Sequence, residues 1–83
     1  MGQTYEIFYA IREKKIGRLI AGHDFNVRPP KPIWADEWTP ARLFGAYELP
    51  SEIKRRCLSK ARYDIVDVRL EVIGARKLDD LRL

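Results

Sequence analysis

An α+β domain, a mostly antiparallel sheet of three to four strands with one helix packed on a face, is predicted by three observations. Strand-like runs recur along the chain, apolar residues recur at helical spacing in only one stretch, and most connections are short. The predicted order is β-β-loop-β-α-β. All 83 residues, 46% hydrophobic and 34% charged, fit one small domain spanning 1–83 rather than a disordered chain.

Thr4 to Arg12, TYEIFYAIR, is rich in β-branched and aromatic residues and opens the sheet. Tyr5, Ile7, Tyr9 and Ile11 share one face, while Phe8 and Ala10 occupy the other, so both faces should be partly buried. The polar Glu13-Lys14-Lys15 makes a turn into a returning strand at Ile16–Ala21, closed by Gly22.

Residues 23–40, HDFNVRPPKPIWADEWTP, hold four of the five prolines, both tryptophans and the single histidine. Proline fixes φ and lacks an N–H, so Arg28-Pro29-Pro30-Lys31-Pro32 should run near polyproline II, outside any sheet ladder. A loop this long either packs as a lid or presents a recognition surface. As a lid, Trp34 and Trp38 with Phe25 and Ile33 would close the sheet face that a lone helix leaves bare. As a recognition surface, stiff backbone and aromatic anchors would lower the entropy lost on binding. Trp38 follows Asp36 and Glu37 and is the tryptophan expected to be exposed.

Ala41–Leu49 is a third strand candidate, with Gly45 marking a bulge or a close backbone approach. Pro50 and Ser51 then start the helix, with Ser51 as N-cap or Pro50 in the first turn, predicted over residues 51–62, on which Ile53, Cys57, Leu58 and Ala61 form an apolar stripe. In Asp64–Ile73, Val66, Val68, Leu70 and Val72 should face the core, and Asp67, Arg69 and Glu71 should face water. The tail at 75–83 could be a short helix, an edge strand or a frayed end.

Charge narrows the function. The net charge is +4, and residues 51–62 carry five bases against one acid, so the rest of the chain balances. A cationic helix face built from Arg55, Arg56, Lys60 and Arg62 would dock on phosphates or on an acidic protein patch. Arg28, Lys31 and Trp38 of the proline-rich loop complete the candidate partner-binding set. Arg12, Lys14, Lys15 and Arg18 form a second basic cluster at the predicted hairpin turn.

Chemistry is harder to find. Gly17 and Gly22 have phosphate-loop spacing, but His23-Asp24 follows where Lys and Ser or Thr are required. A Cys57–His23 nucleophile pair is undercut by the expected burial of Cys57 on the helix stripe. Asp79-Asp80 lies in the tail, and His23, Asp24, Asp36 and Glu37 lack metal-ligand spacing. No RNA-recognition or zinc-finger signature is present.

The chain therefore reads as a non-enzymatic protein-binding or inhibitory module without cofactor or metal, docking onto a larger protein or nucleoprotein complex. Nucleic-acid binding through the basic helix is the alternative. A lone cysteine fits a reducing, cytoplasmic setting. No signal peptide or membrane span is expected, since Ile7–Ile11 is short and charged residues follow it at once. A second copy of the chain is one way to cover the remaining sheet face.

Overall fold

The computed structural model describes residues 6–71, 73–77 and 79. It is an α+β arrangement with the order β1 (Glu6–Glu13), β2 (Ile20–Asp24), β3 (Lys31–Trp34), α1 (Leu49–Arg55) and β4 (Tyr63–Leu70). The strands form two antiparallel pairs, β1 with β4 and β2 with β3, rather than one sheet of three or four. Isolated bridges from Tyr9 to Phe44 and from Arg12 to Leu19 tie the chain to the inner edge of β1.

β1 is central, as its two apolar faces predicted. Ile11 and Ala10 point opposite ways and both are buried. The expected β1–β2 turn forms, closed by Glu13 N–H to Arg18 C=O (2.9 Å) and Gly17 N–H to Glu13 C=O (2.7 Å). Gly17 takes φ +85°, a conformation that favours glycine. The returning strand starts later than expected, at Ile20, and runs through Gly22 with a register shift between Ile20 and Gly22.

β3 corrects the reading of the proline-rich segment. Lys31-Pro32-Ile33-Trp34 is a strand, with Pro32 opposite His23. Among the described residues β2 is its only strand partner, and an edge strand tolerates proline when the missing N–H falls on the open side. Ala41–Leu49, in contrast, is not a strand. Phe44 alone exchanges backbone bonds with Tyr9 (2.9 and 2.8 Å), and Glu48 N–H to Gly45 C=O then turns the chain into the helix.

The predicted helix over 51–62 is cut to Leu49–Arg55, with Pro50 in its first turn and Glu48 rather than Ser51 as N-cap. Its end has a local cause. Cys57 adopts φ +55°, and the N–H groups of Cys57 and Leu58 return to the carbonyls of Lys54 (3.2 Å) and Ile53 (3.1 Å). That is the paired bonding of a Schellman stop, with Leu58 and Ile53 as its hydrophobic contact. Cys57 and Ala61 are consequently exposed, not part of an apolar stripe.

One core joins the elements: Ile11, Ile20, Phe44 and Leu49, with Tyr9, Trp34, Ile53, Leu58 and Tyr63 packed against it. The core side of β4 is therefore that of Tyr63 and Ile65, across from Ile11. Val66 and Val68 are half-buried beside Ala10 and Phe8, and Asp67, Arg69 and Glu71 are exposed, as the alternation predicted. Leu70, however, is exposed, and this face lies opposite the one from which Tyr63 joins the core cluster. The alternation that stands out in sequence begins only at Val66, after the residues that dock. Tail residues 75–77 are in neither helix nor strand. Thr4, Tyr5, Val72, Asp80 and residues 81–83 of the expected elements lie outside the described residues. No helix among the described residues is long and apolar enough to cross a membrane.

Candidate interaction surface

The cationic stretch of residues 51–62 is largely answered from within. Arg56 is 4% exposed. Its Nε donates to Glu52 Oε1 at 2.9 Å, its Nη1 lies 2.8 Å from His23 Nδ1, and its guanidinium lies over the rings of Phe25 and Phe44. This corrects its assignment as a partner-binding residue: four apart on one helical turn, Glu52 and Arg56 meet, and buried Phe44 and the more exposed Phe25 lie against the guanidinium. Arg55 also donates to Glu52 (3.3 Å) and stacks over Phe25 at 4.0 Å. Bonding to Arg56, and secondarily to Arg55, holds the Glu52 carboxyl below its ordinary pKa.

Arg62 is not on the helix at all. It reaches back to Glu13 Oε2 (3.0 and 2.9 Å), while Arg18 takes Oε1 at 2.7 Å. Glu13 is 5% exposed, and these bonds, that to Arg18 first, lower its pKa. Arg18 also stacks on Trp34, 3.8 Å from the ring centroid. The two basic clusters thus adjoin, joined through Glu13 and through Lys14 Nζ, which donates to the Lys60 carbonyl at 2.7 Å. Arg12 is held bidentately by Asp64 at 3.1 and 2.9 Å. Of the five bases in 51–62, Lys54 and Lys60 are left without a carboxylate partner among the described residues.

His23 is the histidine of this network, and burial together with the positive charge of Arg56 pushes its pKa down to about 4. The unfolded chain takes up this proton near pH 6.5, so between the two values it binds more protons than the folded chain, and stability rises with pH. Acidification from pH 6.5 to 4.5 is expected to cost about 1–2 kcal/mol, a figure reduced for partial solvation. The carboxylates Glu13, Glu52 and Asp64 also have lowered pKa values, and the stability they add is lost mainly as pH falls further, through those values. Urea titrations at both pH values should show this slope in the wild type and its absence in His23→Gln, whose amide can accept from Arg56 without titrating. An equal slope in the variant would assign it to other groups.

The loop after β3 gives the opposite picture. Asp36 Oδ1 accepts the N–H groups of Trp38 (2.9 Å) and Thr39 (2.8 Å), and Asp36 N–H donates to Thr39 C=O at 2.9 Å. These bonds lower the Asp36 pKa, Trp38 first. The turn is closed on itself, and it carries Trp38 at 86% exposure. Trp34, four residues earlier, packs against the core. The two tryptophans split between core and surface.

Arg28, on the β2–β3 connection with its cis Arg28–Pro29 bond, and Lys31, the first residue of β3, are both exposed. Neither side chain has a partner among the described residues. Lys31 borders a shallow cleft of about 710 Å³ with His23, Phe25 and Ile33. A narrower apolar groove of about 410 Å³ opens where the short helix stops, walled by Ile11, Ile53, Leu58, Tyr63 and Ile65, with Lys14 and Lys60 at its rim. The sequence reading missed this groove because it exists only where α1 ends early.

Among the described residues no group of three or more His, Cys, Asp or Glu is placed to hold a metal ion. The His23 Nδ1 is engaged with Arg56, and Cys57 is exposed in its left-handed turn. No protein-family model, curated protein or solved structure matches the chain.

Proposed function

We propose that this chain is a non-catalytic protein-binding module that docks onto a larger protein or nucleoprotein assembly, with Trp38 as its anchor. The observation that carries this reading is a tryptophan 86% exposed on a turn that Asp36 holds closed. Leaving so large an apolar side chain in water is unfavourable by itself, and a pre-ordered turn lowers the entropy lost when a partner covers it. Arg28 and Lys31 add unpaired cations for an acidic patch. An inhibitor that occludes its target would work through such a surface. The single cysteine suits the reducing cytoplasm.

Phosphate binding through residues 51–62 has less support, because Arg55, Arg56 and Arg62 are each bonded to a carboxylate of the chain. It would require affinity for DNA or RNA that falls with salt by a logarithmic slope of about −0.7 to −0.9 per phosphate contact.

Affinity capture from the native host, run with wild type beside Trp38→Ala, tests the anchor. Removing an exposed tryptophan should leave the circular dichroism spectrum and melting temperature unchanged while weakening capture of a specific partner at least about tenfold. Equal capture by both proteins would refute the role of Trp38, and loss of fold in the variant would return it to the lid reading.

A further inference from the structure

We propose that two copies of this chain pair through β4, antiparallel about a two-fold axis at Val68, joining two β1–β4 pairs into one four-stranded sheet. The surface is distinct from Trp38 and does not depend on what that residue contacts.

The strand edges differ in how they are closed. The inner edge of β1 is taken by Phe44 at Tyr9 and by Leu19 at Arg12. β3 contains Pro32, and Pro29 and Pro30 precede it, so donors are removed along its open side. β4 has eight residues without proline or glycine, and β1 is its only strand partner among the described residues. A two-stranded ribbon is marginal alone, and adding strands is the usual remedy.

The hydrogen-bond alternation settles which groups face outward. Tyr9 exchanges both bonds with Phe44, so its N–H and C=O point away from β4. The bonds to β4 therefore come from the even positions of β1, paired with Val66 and Val68, and the odd positions of β4 direct their backbone groups to the open side.

A two-fold axis normal to the sheet pairs residues of equal parity, which leaves few registers. Centred on Val68, it sets Asp67 opposite Arg69 twice, Val66 opposite Leu70 twice, and Val68 on its own copy. Arg69 brings its positive charge across from Asp67 of the copy whatever else its guanidinium touches. Centring on Asp67 puts like charges face to face, and centring on Val66 sets Ile65 against Asp67. One register is thus self-complementary, and it makes the half-buried face of Phe8, Val66 and Val68 continuous with its copy.

Charge reversal reads the interface directly. Sedimentation equilibrium at chain concentrations up to about 1 mM should give wild type twice the 9.7 kDa of one chain. Asp67→Arg faces Arg69 with like charge, and Arg69→Asp faces Asp67 likewise, so each variant alone should self-associate at least about tenfold more weakly. Mixed together they are complementary at both positions, and the mixture should recover the dimer mass; that recovery also shows that each variant is folded. A monomeric wild type, which is the result if a strand of another protein occupies this edge, would overturn the proposal. So would a dimer indifferent to either reversal, or a mixture that stays monomeric.

Discussion

Phe44→Ala is expected to remove about 3–5 kcal/mol of stability, the cost of emptying a large buried site that cannot fully collapse. A domain of this length holds roughly 4–12 kcal/mol in total, so the loss takes about a quarter of the stability or more. Phe44 is fully buried and sits where the structure converges, against Ile11 of β1, Ile20 of β2 and Leu49 of α1. Its backbone is the bridge to Tyr9, and its ring underlies the Arg56 guanidinium at 5.3 Å. Alanine keeps the backbone bonds and loses everything else. Phe44→Leu, which keeps most of the volume, should cost about 1–1.5 kcal/mol. Urea unfolding followed by fluorescence of Trp34 checks both. A loss below about 1.5 kcal/mol for alanine would mean that the core is not organised on this ring.

Arg56→Ala should cost about 2–4 kcal/mol, unusual for an arginine. The truncation leaves Glu52 with Arg55 as its remaining cation, removes the bond to His23 Nδ1, and uncovers the rings of Phe25 and Phe44. Most of the cost is the charge left behind rather than the pair itself. Replacing both partners by uncharged groups of similar size, Arg56→Met with Glu52→Gln, should therefore recover stability to within about 1 kcal/mol of wild type. If the double variant is no better than Arg56→Ala, the arginine acts through its contacts with the rings and His23 rather than through Glu52.

Local signals in the sequence were readable where neighbours decide the outcome. The Ser/Pro start and apolar spacing marked the one helix, and the polar company of Asp36 and Glu37 marked Trp38 as the exposed tryptophan. The helix end was not readable, because the spacing of Ile53, Cys57, Leu58 and Ala61 is the same whether or not Cys57 turns left-handed. Nor was β3, since a strand containing Pro32 is permissible only at a sheet edge, and edges are a property of the assembled sheet.

Residue order by itself determined the α+β class, the strands at Glu6–Glu13 and Tyr63–Leu70, the helix around Pro50 and the exposure of Trp38. Tertiary structure alone decided the fate of the charges. Glu13 meets Arg62 across 49 positions and His23 meets Arg56 across 33, and each contact ties a cation that looks free to another element. Periodicity encodes which residues share a face of one element; it carries no information about which carboxylate another element will bring within 3 Å of it.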